Sequence, residues 1–202
     1  MRLVFSILIL ISAPAFSQRW AFEYWHDGKL ILDSSDTLRG KIKYDINNDI
    51  IQLDQLGKLN SFTARKVVMF EIFDVTCSRY RKFYSIPYSF TGDYKTPIFF
   101  ELLAEGKLTL LAREALEMKS TSSPYYGYAT VSRPVLVNKY FALNDKGQLE
   151  PFTGRKDDLL DLMSQRDDEV RKFIKVNHLS LEDKYQLASI FDYYNSLFKK
   201  GS

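Results

Sequence analysis

Two histidines, His26 and His178, and one cysteine, Cys77, are all that this 202-residue chain offers for soft-metal ligation or thiol chemistry. A closed zinc site takes four ligands, mostly Cys or His, usually at short local spacing, and these three residues lie far apart in sequence. His26, beside Asp27-Gly28, reads as a turn residue, and His178 as a helix-terminal residue that complements the dipole. A single thiol excludes an intramolecular disulfide, and Cys77 is expected to be buried. "DINND" (45–49) opens like a calcium loop, with Asp45, Asn47 and Asp49 at alternate positions. That loop needs Gly at its sixth position and Glu at its twelfth; Ile50 and Leu56 stand there, so the stretch reads as a hairpin turn. There is no G-x-S-x-G elbow, and Cys77 has no neighbouring histidine to activate it. "EGKLT" (105–109) partly resembles a phosphate loop, but Glu101 occupies the place of the upstream Gly, which leaves another turn. No metal site and no cofactor is implied.

Carboxylates need only the right separation to act on a glycosidic bond. Glu101, between Phe100 and Leu102 in the most apolar strand, is the one weak candidate for a catalytic acid or base. Burial raises a carboxyl pKa unless an Arg or Lys neutralises it, and Arg79, Arg81 and Arg113 are possible partners. The best binding candidate is "MKSTSSPYYGYATVS" (118–132), read as an exposed loop. Tyr125, Tyr126 and Tyr128, with Arg133 just beyond, are residue types enriched in contact surfaces. "CSRYRKFYSIPYSFTGDYK" (77–95) raises a third possibility, stacking on bases or sugars. Laid on a strand, its even positions from Tyr80 to Phe90 are almost all aromatic or aliphatic, and the odd ones, from Arg79 to Ser89, largely polar. A nucleic-acid platform presents aromatic and basic groups together on the wet face, so the even positions are expected in the core.

The elements that must position these residues are mostly strands. "TLRGKIKY" (37–44) places Leu38, Ile42 and Tyr44 on one face and Thr37, Arg39, Lys41 and Lys43 on the other, the period of a half-wet strand. Asp27-Gly28 reads as a two-residue hairpin turn. About ten such strands follow one another to about residue 150, which predicts a mainly β fold: an antiparallel meander of eight to ten strands, bent or partly closed. The hairpin "PIFFELLAEGKLTLLARE" is apolar on both faces and needs a second layer. From Lys156 the period becomes helical, and two or three C-terminal helices are expected on the sheet. "SLED" (180–183) reads as a capping box for the last of these, whose apolar stripe is Leu187, Ile190, Phe191, Tyr194 and Leu197.

The N-terminus reads as a secretory signal over residues 1–17: Met1-Arg2, an apolar run from Leu3 to Ile11, and small residues at Ala15 and Ser17 before Gln18. Residues 18–153 then form the β domain and 154–202 the helical segment. The 28 basic and 25 acidic residues give a net charge of +3, too balanced to attract nucleic acid or an anionic membrane.

"GKLILDSSDTLRGKIKYD", "TARKV", the "FFELLAEGKLTLLARE" hairpin and the Tyr-Asn pair of "FDYYNSLF" (191–198) resemble a group of exported β-rich proteins of unassigned function common in Bacteroidota. The resemblance covers most of the mature chain and implies export from a Gram-negative cell, to the periplasm or the outer membrane. It brings no catalytic residue. The expected function is a non-enzymatic binding module of the cell envelope, with an envelope protein or glycan as partner, no nucleic acid, and no integral membrane segment. A carbohydrate hydrolase using Glu101 and an outer-membrane barrel are the alternatives. The oligomeric state is left open.

Overall fold

The structure is a computed structural model that describes residues 20–122 and 130–199. Among these, ten strands form a single antiparallel sheet, followed by three α-helices. The strands are β1 (His26–Leu32), β2 (Thr37–Asp45), β3 (Ile50–Gln55), β4 (Lys58–Thr63), β5 (Val67–Asp74), β6 (Arg79–Tyr88), β7 (Thr96–Ala104), β8 (Leu108–Ser122), β9 (Thr130–Asn144) and β10 (Leu149–Phe152). The helices are α1 (Lys156–Leu162), α2 (Asp167–Val176) and α3 (Lys184–Ser196). The order across the sheet is β10-β9-β8-β7-β6-β5-β1-β2-β3-β4, so two meanders run outward from the β1–β5 pair and leave β4 and β10 as open edges.

One short connection forces the sheet to curl. Residues 64–66 alone join β4, at the edge, to β5, at the centre. Four residue steps reach at most about 14 Å, whereas four strand spacings in a flat sheet amount to about 19 Å. The β1–β4 half therefore wraps round upon β5 and β6. Its closure is made by side chains rather than a ladder: Ser85 Oγ donates to the Ala64 carbonyl at 2.6 Å, and Asp49 in the β2–β3 turn meets Arg113 of β8 at 2.7 and 2.8 Å.

The inner face of the curled sheet carries two apolar clusters. At the β1–β7 end, Tyr44, Phe70, Phe83 and Phe99 pack with ring centroids 4.4–5.7 Å apart, and Leu116 and Leu136 of the long β8–β9 hairpin lie against them. At the β7–β10 end, Leu108, Leu110, Ala142 and Phe152 are covered by the helices, chiefly through Leu159, Met163, Leu187 and Phe191. The apolar β7–β8 hairpin thus gains the second layer its composition demands. Asn195 of α3 completes the join. Its side-chain amide accepts from Leu108 N–H at 2.9 Å and donates to Leu108 C=O at 2.8 Å, filling space that a side chain at Gly106 would occupy.

Several expectations need correction. Asp27-Gly28 is no turn: β1 runs straight through it, with Gly28 opposite Gly40 of β2. A Cβ at Gly28 would strike the Glu71 carbonyl and Ile42, so the glycine serves close strand approach. The turn comes later, at Asp33–Asp36. His26 is therefore the first residue of β1 and buried, with Nε2 bonded to the Ala21 carbonyl at 2.7 Å. His178 does follow a helix, in the left-handed conformation that closes α2. The cap of α3 is Asp183, which accepts from the N–H groups of Tyr185 and Gln186, and not a box opened by Ser180. Residues 118–122 and 130–132 are paired strand rather than loop, with Lys119 opposite Arg133. Cys77, in the β5–β6 turn, is partly exposed.

If the Asn195 amide is the join it resembles, Asn195→Ala strands a buried N–H and a buried C=O. The expected cost is about 2–3 kcal/mol, visible as a lower urea midpoint at unchanged m-value.

Candidate functional site

Strand pairing brings four charged residues to one place on the inner face, between the two apolar clusters. Phe83 opposes Glu101 in the β6–β7 pair, Asp74 opposes Arg79 in the β5–β6 pair, and Glu114 follows two residues after Ala112, the partner of Glu101 on β8. Arg81 is 5% exposed and Glu101 3%. The guanidinium grips Glu101 with two bonds, Nε to Oε1 at 2.9 Å and Nη2 to Oε2 at 2.7 Å. It also donates to Asp74 at 3.0 Å and to Glu114 at 2.6 Å. Lys184, the first residue of α3, closes the cluster from the helical layer, 3.0 Å from Glu101 and 3.7 Å from Glu114. A lysine in a helix's first turn opposes the dipole; here the two carboxylates hold it.

Burial alone would push the Glu101 carboxyl up, but the charge and hydrogen bonds of Arg81 and Lys184 outweigh it and hold Glu101 below the ordinary carboxylate range. Asp74 is likewise lowered: burial opposes, while Thr76 and Arg81 bond its charged form. Burial disfavours the Arg81 charge, yet Glu101, Glu114 and Asp74 raise its pKa. The weak catalytic candidate Glu101 is thus an ionised ion-pair partner with both oxygens engaged, the opposite of the raised, exposed carboxyl that an acid catalyst requires. The fold does gather scattered carboxylates. It gathers them round a guanidinium, and no group of three or more His, Cys, Asp or Glu that could hold a metal is found among the described residues.

Of the three arginines considered as partners for Glu101, only Arg81 is one. Arg79 lies over the Tyr185 ring at 4.3 Å, and Arg113 bonds Asp49. Tyr185 also places its hydroxyl 3.6 Å from Cys77 Sγ. Its pKa is raised, first by burial and then by the Cys77 and Glu101 neighbours. "DINND" divides between two roles: Asp45 accepts from the N–H groups of Asn47 and Asn48 in a local turn, and Asp49 turns inward to Arg113. Tyr125, Tyr126 and Tyr128 lie outside the described residues; Arg133 is exposed on β9.

The face assigned to residues 80–90 is reversed in its first half. Arg81 and Phe83 point inward, and Tyr80 is 74% exposed. Hydrophobicity favoured the tyrosine, but three carboxylates make the inside the better environment for Arg81. Further along, Ile86 and Tyr88 pack on the outer face, where the register aligns them with Ile98, Phe100, Leu111 and Phe141. Tyr88 lies 5.2 Å from Phe141 and 5.0 Å from Phe90. These rings border an open trough along the β9–β10 hairpin. One depression of about 480 Å³ lies between Phe90, Tyr88, Phe141 and Pro151. A second, of about 490 Å³, shares Tyr88 and continues toward Gln148 and Glu150. A third, of about 370 Å³, shares Pro151 and Phe152 and is bounded by Asp158 and Asp161 of α1. Phe90 is 61% exposed at its wall. The alternation of residues 80–90 signalled an aromatic face but not that β10 would stand beside it.

Compared with known proteins, the chain matches no family model, no curated protein and no solved structure.

Removing one partner of a buried ion cluster leaves the others uncompensated. Arg81→Ala is expected to cost about 3–5 kcal/mol, and Arg79→Ala, which loses only a ring contact, about 1 kcal/mol or less; urea unfolding at pH 7 compares them. The depressed carboxyls set the sign of the pH response. Their stabilisation is complete above the unfolded carboxylate range of about pH 4 and is lost as pH falls below it. The urea midpoint should therefore drop between about pH 5 and pH 3, and the drop should shrink in Arg81→Met, where the charged carboxylates are no longer favoured.

Proposed function

We propose that the chain is an exported, non-enzymatic binding module of a bacterial cell envelope, and that its contact surface is the aromatic trough beside β10. The observation that carries this reading is the division of labour between the two faces. The clustered carboxylates are buried and paired with Arg81 and Lys184 on the inner face, while on the outer face the half-buried Tyr88 and the exposed Phe90 stand over a buried apolar cluster, beside an open depression. Exposed aromatic surface of this kind is a mark of interaction sites. Export rests on the signal-like residues 1–17 and on the resemblance to exported proteins of Bacteroidota. The Tyr125, Tyr126, Tyr128 and Arg133 region is a second contact candidate, because these residue types are enriched in contact surfaces and Arg133 is exposed on β9.

A carbohydrate hydrolase would need a pair of accessible carboxylates, and Glu101 is not accessible. A membrane barrel is disfavoured by the open edges at β4 and β10, whose unpaired backbone groups lipid cannot satisfy. Among the described residues no helix is long and apolar enough to cross a membrane.

Cell fractionation followed by in-cell crosslinking and affinity capture of the tagged chain tests the proposal. The expected result is recovery outside the cytoplasm together with a recurrent envelope component, lost in Phe90→Ala. Retention in the cytoplasm would overturn the export reading. Capture abolished by Tyr125→Ser, Tyr126→Ser and Tyr128→Ser together, but untouched by Phe90→Ala, would move the contact surface to the hairpin end.

A further inference from the structure

The trough can be read for the class of molecule that fits it, an inference that rests on the binding-module reading above. Its wall is aromatic: Tyr88 packs edge-on against the buried Phe141, and the exposed Phe90 stands against Tyr88. Its rim is polar, with Asn138 and Lys139 on one side and Lys95, Gln148 and Glu150 on the other. Lys139 is already neutralised by Glu117 at 2.9 Å. Asp158 and Asp161 border the adjoining depression, where Thr153 donates to Asp158. The two depressions that share Tyr88 are therefore near balance, with Lys95 offsetting Glu150, and only the third leans negative.

These features narrow the occupant step by step. A nucleic acid or other polyanion would find no net positive charge here, since Glu150 and Glu117 offset Lys95 and Lys139, and it would meet Asp158 and Asp161 at one end. A lipid chain needs an enclosed cavity that removes most of its surface from water, whereas this trough is open and Phe90 remains 61% exposed. A peptide added as a strand would need the outer edge of β10. That edge is four residues long and contains Pro151, which has no N–H to donate. A pyranose presents a face of C–H groups and a rim of hydroxyls. It matches ring faces edged by amide, hydroxyl and carboxylate side chains without bringing charge. The two depressions that share Tyr88, of about 480 and 490 Å³, suit consecutive sugar units.

We propose that the trough formed by Tyr88, Phe90, Phe141 and Pro151 binds a neutral glycan chain, with sugar rings stacked on Phe90 and Tyr88 and hydroxyls bonded to Asn138, Gln148 and Glu150. Phe90 is the side chain to test, because its exposure lets Phe90→Ala remove a stacking face without opening the core.

The experiment titrates the full chain, aromatic-labelled for NMR, with neutral hexasaccharides of glucose, N-acetylglucosamine, mannose and xylose, and with hexagalacturonate as the acidic counterpart. At least one neutral chain is expected to shift the Tyr88, Phe90 and Phe141 resonances with Kd of about 1 mM or tighter, and Phe90→Ala to weaken it about tenfold. The variant should keep the wild-type spectrum elsewhere. Silence of these resonances with all four neutral chains, or equal binding of hexagalacturonate, would overturn the proposal. The capture experiment separates this failure from that of the underlying reading. A protein captured by the wild type and lost in Phe90→Ala, with no sugar response, rejects the glycan and leaves a binding module. If neither sugar nor capture depends on Phe90, the trough is not a binding surface.

Discussion

A guanidinium taken out of water must be neutralised and hydrogen-bonded on almost every side, and this structure is arranged round that requirement at Arg81. Its partners come from β5, β7 and β8, and the lysine that balances them comes from α3. A slip of one residue in the β5–β6, β6–β7 or β7–β8 pairing would turn a partner to the opposite face and leave a buried charge alone. The network therefore specifies register and helix docking more than it adds stability, since an apolar replacement of the whole cluster could stabilise equally well. It also lies between the two inner clusters, so neither the aromatic end nor the helical end of the sheet can move without disturbing it.

The curl of the sheet follows from a different constraint, the three-residue link from β4 to β5. Wrapping the first meander back on β5 and β6 encloses Tyr44, Phe70, Phe83 and Phe99 with no α-helix over them among the described residues, the cover being Leu116, Leu136 and Phe22 of a short 3-10 turn (Ala21–Glu23). The other half of the sheet does not wrap, and it needs α1, α2 and α3 instead. One sheet thus uses two ways of covering an apolar face. The Arg113–Asp49 pair fastens the wrapped half to β8, and burial of both partners makes that contact more than a surface ion pair. The hydroxyl of Tyr44, bonded to Asp49 at 3.0 Å, ties the same pair into the aromatic cluster.

With the inner face fully occupied, surface available for recognition lies on the outside. There the strands from β6 to β10 carry a second buried cluster of Ile98, Phe100, Leu111 and Phe141, with Ile86 and Tyr88 packed on it and the exposed Phe90 of the β6–β7 connection against Tyr88. A sheet face that served solubility alone would carry charges at these positions, as β2 does with Arg39, Lys41 and Lys43. The contrast between these two outer surfaces of the same sheet is the physical basis of the proposal that recognition lies at β9–β10.

Period-two alternation in stretches such as 37–44, and its change to a helical period after Lys156, were sufficient for the fold class, the number of strands and the helical layer. Both depend on neighbours along the chain, and Leu38, Ile42 and Tyr44 point where their spacing says. The same local logic failed at Asp27-Gly28, where a glycine serves strand packing instead of a turn, and at Tyr80 and Arg81, where it exchanged the inside and outside of a strand. It identified Glu101 as a buried acid in need of an arginine and could not choose among Arg79, Arg81 and Arg113. Lys184 gave no sign in the sequence, being 83 residues from its partner. Choosing a partner for a buried charge requires knowing which strands are adjacent and which positions oppose, and that information exists only once the chain has folded.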